Sequence, residues 1–192
     1  MKNIVRRAFD DLAASLAEAG SRDSIVVSAA EMIARSLTGG GVIYICGNGG
    51  SAAEAQHFAA EFVGRFLTER SGLPAMSLST DTSKLTAIGN DYGFEEVFRR
   101  QIKALGRPGD VLWGISTSGT SPNVVNALEA AKAGGLGTIF MCGRKKPALP
   151  FVDVLLDAPA PDTPRMQELH LLYGHAICAL VDHVIIEGGG RS

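Results

Sequence analysis

With 192 residues, 46% of them hydrophobic and 20% charged, the chain can bury a substantial core and is expected to form a single domain over 1–192. A formal net charge of -2 and a sequence pI of about 6.1 argue against a nucleic-acid tract or a membrane-surface patch, so neither nucleic acid nor membrane is an expected partner. The densest basic run, Arg144-Lys145-Lys146, is short and reads as a solvated loop.

Residues 1 to 9 carry Lys2, Arg6 and Arg7 but lead into Asp10, Asp11 and Glu18 rather than into an apolar signal core. Residues 3 to 19 set Ile4, Val5, Ala8, Phe9, Leu12 and Leu16 at helical spacing, with Gly20 as a stop. A second helical pattern runs from about Asp23 to Leu37 and ends at Gly39-Gly40-Gly41. Residues 1–40 therefore supply helices ahead of the first strand, for packing or for contacts between subunits, and 41–192 an α/β core with a C-terminal helix.

Val42 to Cys46 is a short apolar run of β type, followed by the turn Gly47-Asn48-Gly49-Gly50 and a helix from Ala52 to about Leu67. Ser51 with Glu54 three residues later has the pattern of a capping box. A second strand is predicted at 75–78, a short helix at 82–88, a turn at Gly89-Asn90-Asp91-Tyr92-Gly93, and a helix at 94–105. The apolar run Val111 to Ile115 predicts a buried strand, and Pro122 to Ala133 a helix closed by Gly134-Gly135. Strands at 138–142 and 152–156 and a long final helix at 163–187, ended by Gly188-Gly189-Gly190, complete the series. No stretch is judged long and apolar enough to span a bilayer. Strands alternating with amphipathic helices predict a three-layer α/β sandwich around a parallel sheet, with ligands beyond the carboxyl ends of the strands.

Cys46, Cys142 and Cys178 lie far apart in apolar contexts and match no zinc spacing, which fits core residues in a reducing, cytoplasmic compartment.

Two loops sit where a ligand is expected. Ser116-Thr117-Ser118-Gly119-Thr120-Ser121 follows a strand and precedes a helix, with Ser121 as N-cap and Pro122 at the first helical position. Hydroxyls and amides there converge where the helix dipole favours an anion, so the loop is a phosphate cradle or a capping turn. Gly47-Asn48-Gly49-Gly50-Ser51 lacks the Lys-Ser/Thr of a Walker loop and the G-x-G-x-x-G spacing of dinucleotide sites, so no nucleotide cofactor is expected. Its glycines let a ligand approach the backbone, and Asn48 adds an amide; a tight strand-to-helix turn is the other reading.

His57 and Glu61 share one helix face at i, i+4 and can meet one substrate atom or metal ion, unless Glu61 pairs with Arg65 instead. On the final helix, Gln167 and His175 are eight residues apart, about 12 Å along the axis. They serve one small site only if their side chains reach toward each other or come from different subunits.

Taken together, Cys46-Gly47-Asn48-Gly49-Gly50-Ser51, His57-Phe58-Ala59-Ala60-Glu61, Gly89-Asn90-Asp91, Ser116 to Ser121 and Arg165-Met166-Gln167-Glu168-Leu169-His170 resemble the bacterial phosphoheptose isomerases of the sugar isomerase (SIS) domain family. The resemblance runs through the chain in matching order. It implies a five-stranded parallel α/β sandwich, a homotetramer with active sites at subunit contacts, and conversion of sedoheptulose 7-phosphate to D-glycero-D-manno-heptose 7-phosphate, the first step toward activated heptose. By the same resemblance Ser116, Thr117, Ser118 and Ser121 hold the phosphate, while Asn48, Gly49, Gly50, Ser51, Asn90 and Asp91 contact the sugar together with His57, Glu61 and Gln167. Glu61 and His175 are implied as the acid/base pair. One zinc ion per subunit is implied, on His57, Glu61, Gln167 and His175.

The chemistry agrees with those residue types. Aldose–ketose exchange through an enediol needs a base at carbon, an acid at oxygen and stabilisation of the developing oxyanion. The same family holds a non-catalytic relative that binds a replication initiator, and SIS domains in transcription regulators that sense sugar phosphates. The initiator-binding relative lacks the groups matching Glu61 and His175, and no DNA-binding segment is recognised here. One departure stands out: some phosphoheptose isomerases carry aspartate where this chain has Pro164, so either Asp162 substitutes from a neighbouring position or the aspartate is dispensable.

Overall fold

The structure is a computed structural model that describes residues 1–143 and 149–189, so the basic run Arg144-Lys145-Lys146 and Gly190, the last of the three closing glycines, lie outside the described residues. Helices α1 (Lys2–Ala19) and α2 (Asp23–Thr38) lead into strand β1 (Ile43–Gly47) and helix α3 (Gly50–Val63). Then follow β2 (Ala75–Ser77), α4 (Thr82–Tyr92), α5 (Arg99–Leu105), β3 (Val111–Ser116), α6 (Pro122–Ala133), β4 (Gly137–Cys142), β5 (Val154–Asp157) and α7 (Thr163–Gly189). All pairings are parallel and the strand order is β2-β1-β3-β4-β5.

Alternation along each strand divides the core into two layers. Ile43 and Ile45, Val111, Trp113 and Ile115, and Ile139 and Met141 pack on one face with residues of α2, α3 and α7. Tyr44 and Cys46, Leu112, and Phe140 and Cys142 pack on the other with α5 and α6. Gly114 of β3 would carry a Cβ only 2.9 Å from Val124 Cγ1, so its missing side chain lets α6 lie directly on the sheet. All three cysteines are buried.

Most predicted elements appear within a residue or two, and the exceptions have physical causes. Helix α3 ends at Val63 rather than near Leu67, because the Arg70 guanidinium, 2.6 Å from Asp182, takes over the carbonyls of Glu61, Phe62 and Gly64. The Ser51–Glu54 capping box does not form: α3 starts earlier, with Gly49 at φ 55° as its N-cap and Ser51 already inside the helix. The turn expected at 89–93 is helical through Tyr92, and the chain turns at Gly93, whose φ of 92° needs glycine. The helix expected at 94–105 breaks into a 3-10 turn at Phe94–Glu96 and α5.

One expectation about the membrane is corrected. Residues Thr163–Glu187 of α7 are long and apolar enough to cross a bilayer by length and composition, although 44% of the apolar window is buried against the rest of the protein. The helix is apolar on more than one side because it packs on α1, α2 and α3 and still exposes Leu172, Val184 and Ile186.

Candidate active site

In the order β2-β1-β3-β4-β5 the connection after β1 runs to one side and that after β3 to the other, which opens a crevice between the carboxyl ends of β1 and β3. Both ligand loops border this crevice. In the first, a Cβ on Gly47 would sit 2.6 Å from the Ser51 carbonyl oxygen, so glycine is what allows α3 to fold back immediately after β1. A Cβ on Gly50 would fall 2.2 Å from Gln167 Nε2, which places the Gln167 amide directly against this loop. Ser79, after β2, donates its hydroxyl to the Gly47 carbonyl.

The second loop gathers its hydroxyls. Ser116 Oγ lies 2.8 Å from Ser121 Oγ and 3.3 Å from Ser118 Oγ, and Thr120 donates to Ser118 Oγ from its amide at 3.2 Å. Gly119, at φ 67°, turns the chain back so that both ends of the loop meet. Ser121 occupies the N-cap position of α6 as predicted, with Pro122 first in the helix, but its side chain makes no cap hydrogen bond. The hydroxyl points to Ser116 instead, which leaves a concave cluster of donors at a helix start, the arrangement that suits an anion. Thr117 is held by its carbonyl, which accepts the Gly143 amide from the end of β4.

Helices α3 and α7 bring a third group together. His57 Nε2 is 2.8 Å from His175 Nε2 and 3.6 Å from Glu61 Oε1. The contact depends on Gly174, where a Cβ would lie 2.1 Å from the Phe58 ring, so the two helices close only because that Cβ is missing. Phe58 is fully buried and stacks on Trp113, while Phe66 stacks on His175 at 5.4 Å between centroids. The alternative partner for Glu61 is not used, since α3 stops before Arg65 and Arg65 pairs with Glu69.

The donor set of these side chains suits zinc: two imidazole nitrogens and a carboxylate oxygen close together, with the Gln167 amide at the first loop. These side chains approach one another without forming a ready-made cage: among the described residues no group of three His, Cys, Asp or Glu side chains has the arrangement that would hold a metal ion.

Other predicted residues stand apart. Asn90 and Asp91 lie exposed on the last turn of α4, and Asn90 Nδ2 donates to Asp91 Oδ1. Among the described residues neither side chain bonds to the loops or to His57, Glu61 or His175. Asp162 accepts the Arg165 amide at the start of α7, and Pro164 lies in the first turn of that helix, where the lack of an N–H does no harm. Asp162 is thus engaged as a helix cap.

Sequence reasoning missed a buried layer beneath the site. His170 on α7 is fully buried and bonds through Nε2 to the Cys142 carbonyl at the end of β4, 3.1 Å away. Its Nδ1 faces Glu54 Oε2 of α3 at 3.9 Å, beyond hydrogen-bond distance, and among the described residues neither atom has a hydrogen-bond partner. Burial pushes the Glu54 carboxyl up to about 7 against the opposing Ser51 hydrogen bond, and burial pulls His170 down to about 4 against the Cys142 carbonyl. Near neutral pH His170 is therefore uncharged, while the Glu54 carboxyl is close to the midpoint of its titration. Asn123 was missed as well; it is 2% exposed and its amide pairs with that of Asn48. The available signal for each was position: Glu54 precedes His57 by one helical turn, and Asn123 stands two residues beyond the cradle.

The SIS domain model matches residues 8–143. The chain is 56% identical over 163 residues to the phosphoheptose isomerase of Nitratidesulfovibrio vulgaris, covering 84% of this chain and 78% of that protein. The solved phosphoheptose isomerase of Neisseria gonorrhoeae superposes with a TM-score of 0.88 at 46% identity, covering 95% of this chain and 99% of that one. That of Francisella tularensis gives 0.89 at 32% identity, covering 94% and 97%. The chain belongs to the SIS domain family and, within it, to the phosphoheptose isomerases.

Proposed function

We propose that this protein isomerises sedoheptulose 7-phosphate to D-glycero-D-manno-heptose 7-phosphate by proton transfer through an enediol. The observation that carries the reading is the meeting of His57, Glu61 and His175 at the α3–α7 contact, on helices whose other residues form or touch the glycine loop. Relatives of this sequence identity carry the name phosphoheptose isomerase.

Ketose and aldose differ by two hydrogens exchanged between C1 and C2. One group removes the C1 proton to give the enediol and returns a proton to C2, while the other moves the proton between O2 and O1. Glu61 and His175 take these two roles, and the order of their action follows from which of them faces carbon. The Ser116, Ser118 and Ser121 hydroxyls and the α6 start hold the phosphate far from the reacting carbons and fix their position, which lowers the barrier through orientation. Asn48, Gly49, Gly50, Ser51 and Gln167 line the path between. The 2.8 Å contact between the two Nε2 atoms requires one imidazole to donate and the other to accept.

Zinc belongs to the same proposal. It would be held by His57, Glu61, Gln167 and His175, one ion per subunit, and when bound would polarise the substrate carbonyl. Assembly as a homotetramer is proposed from the apolar surface left open on α1, α2 and α7, which includes Phe9, Leu16, Val27 and Leu172. Asn90 and Asp91, whose side chains bond only to each other among the described residues, would join a site across such a contact. Cys46 and Cys178, buried thiols outside any disulfide among the described residues, support a cytoplasmic location.

The test is incubation of the purified, zinc-supplied protein with sedoheptulose 7-phosphate. Formation of the heptose 7-phosphate is expected, and its absence at enzyme concentrations approaching that of substrate overturns the reading. A sugar-phosphate-sensing protein would bind substrate in the same experiment without turning it over.

A further inference from the structure

The two ligand loops are joined by one pair of side chains. Asn48 Nδ2 donates to Asn123 Oδ1 at 2.9 Å, and Asn123 Nδ2 donates to Asn48 Oδ1 at 2.8 Å. Asn123 is the second residue of α6 and is buried, whereas Asn48 is half-buried at the mouth of the glycine loop. A third bond orients the pair: the Val124 amide donates to Asn123 Oδ1 at 3.0 Å. A backbone N–H can only donate, so Oδ1 is assigned by chemistry, and with it the face that Asn123 turns to Asn48.

The consequence is a fixed inventory at Asn48. A primary amide has two N–H donors and an oxygen with two lone pairs; the reciprocal pair uses one of each. One N–H and one lone pair remain, held at a set angle by the start of α6. We propose that Asn123 is a positioning residue for the isomerase reaction. It ties the glycine loop to the first turn of the helix that follows the phosphate cradle, and it presents the spare N–H of Asn48 to a sugar hydroxyl or carbonyl oxygen. Asn123 touches no substrate itself. It sets the span between the two loops and therefore the length of sugar chain that can bridge them. Rotation of Asn48 would leave the buried Asn123 donor unpaired, which is why the orientation holds before ligand arrives.

This inference rests on the isomerase reading above, and the experiment separates the two. The probes are sedoheptulose 7-phosphate as substrate and inorganic phosphate as competitive inhibitor, used with wild type, Asn48→Ala, Asn123→Ala, Asn123→Ser and the Asn48→Ala/Asn123→Ala double variant. Each single change is expected to lower kcat/KM by about tenfold, the usual scale for one lost polar ligand contact. Phosphate inhibition should stay at its wild-type value, because the cradle hydroxyls are untouched. The double variant should be no worse than Asn48→Ala alone, since Asn123 acts only through Asn48. Asn123→Ser keeps an oxygen at the helix start and guards against a folding failure of the alanine variant. Phosphate affinity that falls in step with kcat/KM, or effects that multiply in the double variant, overturns the proposal. If wild type shows no turnover, the isomerase reading falls; thermal unfolding of the same four variants then tests the strut alone, with additive losses counting against it.

Discussion

Gly174 lies against the ring of Phe58, at a spacing where a single added methyl carbon would stand 2.1 Å from Cζ. Phe58 is buried between α3, α7 and Trp113, so it has no open side to move into. His57 and His175 are the immediate chain neighbours of these two residues and meet at 2.8 Å on the surface above them.

Gly174→Ala reverses the usual outcome of such a change. In an exposed helix, alanine in place of glycine stabilises by about 1 kcal/mol. Here overpacking is expected to win and to destabilise by about 1–3 kcal/mol, and prising α3 from α7 should lower kcat through the separation of His57 from His175. Chemical denaturation and steady-state kinetics check both; a more stable, fully active variant would refute the packing argument.

Glu54 and His170 make opposite contributions to stability as pH changes. The His170 pKa is depressed from 6.5 to about 4 in the folded protein, so its contribution is present above pH 6.5 and lost as pH falls toward 4. The Glu54 pKa is raised from 4.5 to about 7, so its contribution is present below pH 4.5 and lost as pH rises through 7. Between these limits the slopes oppose each other. Glu54→Gln should expose the histidine limb, with stability falling on acidification by up to about 1.4 kcal/mol per pH unit. His170→Asn should expose the glutamate limb, with stability falling as pH rises from 4.5 to 7. Denaturation midpoints from pH 4 to 8 measure these slopes, and profiles parallel to wild type in both variants would show that the groups do not titrate as described.

Ser121→Ala separates cradle from cap. Replacing a serine N-cap with alanine ordinarily costs about 1 kcal/mol, but this hydroxyl bonds Ser116 rather than the α6 amides. Stability should therefore change by less than about 0.5 kcal/mol, while KM for the phosphorylated sugar rises by about tenfold. A destabilised variant with unchanged KM would assign the serine to the helix instead.

Glu61→Gln and His175→Ala are each expected to abolish turnover while leaving the unfolding temperature within a few degrees of wild type, about the effect of a partly exposed substitution. Elemental analysis of the same proteins tests the metal. One zinc per wild-type chain, reduced in His57→Ala and His175→Ala, is expected. Full activity in protein stripped of metal by a chelator would remove zinc from the reaction, and wild-type rates in both acid/base variants would remove Glu61 and His175.

Local pattern carried much of the fold. The apolar runs at 42–46 and 111–115, the glycines after α2 and α6, and Pro122 at a helix start each report a backbone requirement confined to a few residues, so they are readable without knowledge of the rest of the chain. The same holds for the two ligand loops, whose composition marks them wherever they lie. Where prediction missed, the deciding group was distant: Arg70, held by Asp182, ends α3. The helix through Gly89 to Tyr92 stops only at a glycine with positive φ, which the earlier glycine does not have.

The sequence by itself therefore determined the alternating α/β architecture, the two loops at strand ends and, through the order of its motifs, the family. Only the tertiary structure decided which groups meet. His57 and His175 are 118 residues apart, Asn48 and Asn123 are 75 apart, and Glu54 and His170 come together beneath them. Such pairings depend on strand order and on close contacts like Gly174 with Phe58, which no local periodicity encodes. The Ser116 to Ser121 hydroxyls show the same division: their place at a helix start was legible, but their turning toward one another rather than toward the helix is a property of the folded loop.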